Sequence, residues 1–588
     1  MRKKLIPLLI AFGGMMVTTF AAAHAQGLDA NAIFRALTDR YFEQSTFAYN
    51  PTQGTSAGLH QYNSKLEDYS RAAVDAQIKT LLDFKKQFDD LPAFQMDQST
   101  QADREMVLND IQSRLLTLQT IRPWEKNPDT YSSGITNSAF VLMERNFAPL
   151  NERLGSLVAR EKQMPAVFTA ARQNLKNPPR IYTEIALEQL PGIISFFEND
   201  VPEAFKDATD PATKAEFKKT NAQVIAALQS YETWVKQDLL PRSNGDFRLG
   251  ADTFSRKLQY DEMVNTPLSK LLEIAYADLH KNQAEFARVG KEVDASKTPQ
   301  DVLAELAGIH PAPDQLLQTF RDTFSGLISF IDTKHIITIP SDVRPVLEET
   351  PPFMRATTQA SMDPPGPFET HSTTAYFNVT LPEKNWTPEH IAEHMAAFNV
   401  GTVISTSVHE AYPGHYVQFL WTNHANLSKV RKLIGANTNI EGWAHYCEQM
   451  MLDAGYGQPG TGAKDEREAH LIRLGQLQDA LLRNARFIVG IKMHTGEMTF
   501  DQAVDFFVKE GYQSRSVGTV ETKRGTSDPT YLYYTLGKLE ILKLRGDLEK
   551  KEGSNFSLQR FHDEFMGQGG APIKIVRQAL LGDDSPTL

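Results

Sequence analysis

The stretch "STSVHEAYPGHYVQ" (residues 405–418) contains a histidine and a glutamate side by side, His409 and Glu410, and a second histidine six residues after the first. In the helical metal motif H-E-x-x-H the two histidines stand four apart. At about 100° per residue their rings then lie only about 40° apart around the helix. A spacing of six puts them about 120° apart on an unbroken helix, too far round to share an ion. The intervening residues argue against an unbroken helix. Pro413 has no N–H to give, and its ring clashes with the carbonyl four residues back, that of His409. Gly414 adds backbone freedom for a turn. The "AYPG" insertion is therefore read as a bulge that unwinds the helix and swings His415 back beside His409.

Downstream the chain reads "NIEGWAHYCEQMMLDAG" (439–455), with Glu441 twenty-six residues after His415. Glu441, His445 and Glu448 follow i, i+4 and i+7, so they share one helix face. Two histidines from one element and a carboxylate from another make an open His₂Glu zinc site, with water in the fourth position. His409, His415 and Glu441 are the expected ligands, and His445 is the competing third ligand. Glu448 is placed behind a ligand as an orienting carboxylate. Glu410, next to a ligand, is the expected general base. A rival string, His390-Ile391-Ala392-Glu393-His394, has the inverted order H-x-x-E-H. Ile391, Met395 and Phe398 read as the buried stripe of that helix, with the two histidines bordering its solvated face.

Composition narrows the class. The 588 residues are 41% hydrophobic and 23% charged, with a formal net charge of −11 and no basic concentration of the kind that binds nucleic acid. The N-terminus reads as an export signal: a basic "MRKK", an apolar "LIPLLIAFGGMMVTTF", and a small-x-small "AHA" ending at Ala25. Cleavage there removes three cations and leaves −11 − 3 = −14. No second membrane-spanning run follows. Cys447 is the single cysteine, which excludes an intrachain disulfide and reads as a small buried hydrophobe.

The mature chain reads as mainly α-helical. Leu108, Ile111, Leu115 and Leu118 fall on one helix face behind the candidate caps Asp97, Ser99 and Thr100. The spacing also predicts a helix over 266–293 opening at Thr266-Pro267. The proline-rich stretch 340–372 forbids a continuous helix, and "TAYFNVTLP" (374–382) alternates as a strand. The expected organisation is a signal peptide over 1–25, a helical region over 26–339, and a catalytic region over 340–588 that shares one core with the first or stands apart. If the strand is a sheet edge, Tyr376 and Asn378 flank a main-chain binding site for an extended peptide; a core strand is the alternative.

"HEAYPGHYVQ" followed by "EGWAHYCE" resembles the bacterial domain of unknown function 885 family, whose pattern is H-E-x-x-P-G-H-x-x-Q and then E-G-W-A. The resemblance extends to "QMPAVFTAARQNL" (163–175), "DPTYLYYTLGKLEILKLR" (528–545) and "FHDEFMGQGGAPI" (561–573). It implies a gluzincin-like zinc metallopeptidase, predominantly helical with a small β-sheet beside the zinc-binding helices. It further implies His409, His415 and Glu441 as Zn²⁺ ligands and Glu410 as base, with Tyr534 and His494 as candidate donors to the developing oxyanion. Arg524 is a candidate grip for a substrate carboxylate. The expected protein is thus an exported, periplasmic or secreted enzyme that hydrolyses peptides or oligopeptides and engages neither nucleic acid nor, after signal cleavage, membrane. A zinc hydrolase of non-peptide amides or esters and a non-catalytic periplasmic metal- or peptide-binding protein are the alternatives, and the oligomeric state stays open.

Overall fold

Asp97 accepts the N–H of Thr100 at 2.7 Å and opens the helix Gln98–Leu116, as its sequence pattern predicts. This is one of many helices in a mainly α structure. The computed structural model describes residues 29–351, 355, 358–383 and 386–588. The expected signal peptide therefore lies outside the described residues. Among the described residues no helix is long and apolar enough to cross a membrane.

Seven helices carry the site: α1 (Leu268–Val293), α2 (Val400–Glu410), α3 (His415–His424), α4 (Asn437–Asp453), α5 (Glu466–His494), α6 (Arg515–Ser527) and α7 (Tyr533–Glu552). α1 fulfils the 266–293 expectation, with Pro267 at its cap. The long α5 runs beside both α1 and α2, while α4 lies against α7. That last crossing is very close. A Cβ on Gly442 would meet the Gly537 backbone at 2.6 Å, so only glycines let the two helices approach this far.

A three-stranded sheet flanks α2: β1 (Val346–Glu349), β2 (Ala360–Asp363) and β3 (Tyr376–Val379). The order is β1-β3-β2, with β3 parallel to β1 and antiparallel to β2. The strand expected over 374–381 is thus the central strand. β1 and β2 lie inside the proline-rich stretch, where four-residue strands leave too short a pattern to read. Phe377 and Val379 face the core, and Phe320 and Phe324 pack against Phe377 at ring-centroid distances of 5.3 and 5.9 Å.

Three larger hydrophobic clusters organise the interior. One joins residues 30–115 to 316–581, and another joins 254–306 to 471–536. Both cross position 340, so helices from either side of that position share cores. The third, spanning 66–239, lies wholly in the N-terminal region. Cys447 is fully buried, as a small hydrophobe should be.

Candidate metal centre

The helix does break between the two histidines. α2 ends at Glu410, Ala411 and Tyr412 both donate to the Ser407 carbonyl (3.0 and 3.1 Å), and α3 begins at His415. The Tyr412–Pro413 peptide is cis. Gly414 folds back against the end of α2 and gives its N–H to the Val408 carbonyl at 3.0 Å; a Cβ there would overlap the His409 carbonyl oxygen. The insertion thus returns His415 to His409, ring centroids 4.8 Å apart and planes at 88°.

Glu441 meets both. Its Oε2 lies 3.4 Å from His409 Nε2 and 3.4 Å from His415 Nε2. Zinc held at about 2.0–2.1 Å by tetrahedral donors puts those donors about 3.3 Å apart. The triad matches that spacing, and its three donor atoms all lie within 4.8 Å of one another. Glu441 Oε2 and His415 Nδ1 are buried with no hydrogen-bond partner, so the carboxylate oxygen has a lone pair to give.

The surrounding groups orient these side chains. Glu448 Oε1 accepts from His409 Nδ1 at 2.6 Å, which leaves Nε2 free to face Glu441. Glu448 is itself held by His445 Nδ1 (3.1 Å) and Arg483 Nη2 (3.2 Å). The shared face of α4 therefore does two jobs: Glu441 approaches one ring nitrogen of His409 and Glu448 the other. His445 serves Glu448 and is not the third member of the triad. Burial disfavours the His409 imidazolium, yet the carboxylates of Glu441 and Glu448 beside it push its pKa up to about 10. Burial alone raises Glu441 and Glu448, but neighbouring His415 for the first, and Arg483 and His445 for the second, hold both well below the usual carboxylate range. The centre favours a positive charge, proton or metal.

The other motif positions are accounted for by contacts. Trp443, fully buried, donates its indole N–H to the Pro413 carbonyl at 2.9 Å and pins the bulge to α4. Gln418 donates to Asn439 at 2.8 Å, tying α3 to α4. Tyr412 packs edge-on to Phe324 at 5.3 Å. Gly442 gives the close α4–α7 crossing, which brings Tyr534 beside His409 with ring centroids 6.3 Å apart.

Glu410 accepts the Met362 main-chain N–H at 2.8 Å. Burial raises its pKa, opposed by His409 and His415. The strand that faces the centre is therefore β2, through its outer edge, and not the strand containing Tyr376 and Asn378. Those two residues sit on the central strand, whose two edges are already paired. Tyr376 lies under the Arg145 guanidinium at 5.5 Å and Asn378 is buried. Their expected role at a free edge is corrected on that ground.

The remaining candidates separate. Arg524 Nη2 lies 3.4 Å from the hydroxyls of both Tyr533 and Tyr534 and 3.2 Å from Asp528. Its side chain is 39% exposed, and its guanidinium pairs with Asp528. His494 is buried, and its Nε2 is spent on the Gly525 carbonyl at 2.8 Å, between Phe247 and Phe254. Burial takes its pKa down to about 4. It supports α6 from behind and touches no member of the triad. The H-x-x-E-H string forms no metal cluster: His394 Nε2 meets the Thr380 carbonyl at 2.9 Å, and His390 stacks on Trp386 at 3.9 Å. Sequence reasoning missed Met362, whose contribution is main-chain, and Arg483, which no spacing tied to the motif.

Comparison with known proteins identifies the family and the fold. The sequence profile of the family described as "Bacterial protein of unknown function (DUF885)" matches residues 51–580. A solved "putative lipoprotein of unknown function" from Shewanella oneidensis superimposes with a TM-score of 0.77 at 25% identity, covering 93% of this chain and 99% of that one. A "putative lipoprotein" from Colwellia psychrerythraea gives a TM-score of 0.78 at 18% identity, covering 94% and 99%, and shows likeness of fold. No curated protein matches the chain.

Proposed function

This chain belongs to the DUF885 family of bacterial proteins, and from the geometry of its own site we propose that it is an exported zinc-dependent metallopeptidase acting on peptides or oligopeptides. The observation that carries the reading is the convergence of His409 Nε2 and His415 Nε2 on one oxygen of Glu441, each at 3.4 Å, with Glu410 on the same helix. His409, His415 and Glu441 would hold the ion, and the donor set of two imidazoles and one carboxylate suits zinc. Bound zinc supplies Lewis-acid chemistry, polarising the scissile carbonyl and making water acidic.

The chain's own residues do the rest. Glu410 takes the proton of the attacking water on one carboxylate oxygen while the Met362 N–H holds the other. It then delivers that proton to the leaving nitrogen. Tyr534, whose hydroxyl lies within reach of Arg524, is the donor aimed at the charge that develops on the carbonyl oxygen. Arg524, partly exposed, takes a substrate carboxylate. The outer edge of β2 offers main-chain groups to an extended peptide. The export signal expected over residues 1–25 would carry this chemistry to the periplasm or outside the cell.

Glu410→Gln keeps the shape of the side chain and removes the base. It is expected to lower peptide hydrolysis by at least about 10²–10⁴-fold while the protein still carries zinc at its wild-type level by elemental analysis. A variant that still cleaves a mixed peptide pool at near wild-type rate, followed by mass spectrometry, would overturn the mechanism.

A further inference from the structure

A second group of metal-binding side chains lies outside the catalytic centre. His60 opens a single 3₁₀ turn (His60–Tyr62) in the N-terminal region, and Glu369 and His371 belong to the segment between β2 and β3. His60 Nε2 lies 3.0 Å from Glu369 Oε2, His371 Nδ1 lies 3.8 Å from Glu369 Oε1, and one donor atom from each residue falls within 4.8 Å of the others.

Each donor is prepared for a cation. The Glu369 side chain is only 3% exposed, and its Oε1 accepts the N–H groups of His371 (2.7 Å) and Ser372 (3.2 Å). His60 is fixed face-on against Phe147, centroids 4.3 Å apart at 14°, with Asn63 at its Nδ1. Its Nε2 is buried and makes no well-formed hydrogen bond despite the short approach to Glu369. His371, 69% exposed with its Nδ1 3.1 Å from the Thr370 hydroxyl, can exchange that exposed contact for the last ångström toward the other two.

We propose that His60, Glu369 and His371 form a second divalent-metal site, of the zinc class, which clips the segment between β2 and β3 onto the N-terminal region. Two imidazoles and a carboxylate are donors for a borderline ion; calcium and magnesium require a shell of oxygens. The location gives the clip a purpose. The segment is already tied down by Phe368 N–H to the Ala57 carbonyl (2.9 Å), and Arg145 binds both of its ends, pairing with Asp363 at 2.6 Å and donating to the Thr374 carbonyl. Its first end continues from β2, the strand whose Met362 N–H holds Glu410. Metal at His60 thus fixes the wall of the catalytic centre without entering it.

The site is tested with zinc alone, independently of any activity. Protein stripped with a chelator and reloaded is expected to carry two zinc ions per chain by mass spectrometry of the desalted sample, and His60→Ala one. In a His409→Ala/His415→Ala background one ion should remain and raise the melting temperature by several degrees; adding His60→Ala should abolish both effects. His371→Ala, at an exposed position that leaves the fold alone, should weaken this second affinity at least tenfold. One zinc per chain in wild type and in His60→Ala alike, or a zinc-induced shift indifferent to both His60 and His371, overturns the proposal. One zinc that disappears with His60→Ala and survives loss of His409 and His415 would keep this site and instead refute the catalytic one.

Discussion

Glu448 shows how much of the centre is set by a residue that need not touch the metal. It accepts from His409 Nδ1 at 2.6 Å and is buried against His445 and Arg483. An ionised acceptor fixes the imidazole tautomer and makes the opposite nitrogen a better donor. Glu448→Gln, nearly isosteric, is expected to weaken zinc binding by about 10–100-fold, read by competition with a chromophoric chelator. Unchanged affinity would mean that the pair orients nothing. This arrangement was legible in the sequence because helical spacing is rigid: residues 441, 445 and 448 must share a face, whatever packs on it. Arg483 was not, since its approach to Glu448 depends on how α5 crosses α4. His494 failed for a related reason. A histidine in a resembling position carries no sign of whether its ring points to the cleft or to a carbonyl behind it.

The bulge between α2 and α3 works as a unit, because Pro413 ends the helix, Gly414 turns the chain, and Trp443 holds the Pro413 carbonyl from the neighbouring helix. Gly414 is the least replaceable part. Its added Cβ would collide with the main-chain carbonyls of Val408 and His409, which cannot step aside without dragging a ligand with them. Gly414→Ala should therefore destabilise the protein by about 2–4 kcal/mol and lower zinc affinity at least tenfold, measured by thermal melting and by the same chelator competition. An alanine variant with wild-type zinc affinity would show that the turn does not set the His409–His415 distance. Proline and glycine act on their own backbone, so this element could be read locally. The sheet could not. Alternation over 374–381 identified a strand, but rank within a sheet is decided by partners, and β1 and β2 are four-residue pieces among prolines. Hence Tyr376 and Asn378 read equally as edge or core residues, and the edge belongs to Met362.

At the scale of the whole molecule, the sequence breaks near 340 mark a change of local structure without marking a change of core, because two hydrophobic clusters gather helices from both sides of that position. The cluster spanning 66–239 is the exception, and a buried acid within it makes its stability separately readable. Glu161, fully buried at the end of the helix Leu150–Glu161, accepts the Thr220 hydroxyl on Oε2, while Oε1 has no partner. Burial raises its pKa to about 8, partly offset by the Thr220 hydrogen bond. In the unfolded chain the same group titrates near its ordinary value of about 4.3. Between those two values the folded protein keeps the proton and the unfolded chain gives it up. Stability contributed by the protonated form is therefore complete at low pH and is lost as pH rises through this window. A glutamine cannot ionise and escapes the loss. Glu161→Gln should melt close to wild type at pH 5 and above it at pH 8.5, by on the order of 5 °C, for the transition that reports this cluster. A melting difference that stays flat across that range would place the ionised carboxylate in the folded state and a compensating cation beside it, and the reading of this cluster as a dry, apolar unit would fall with it.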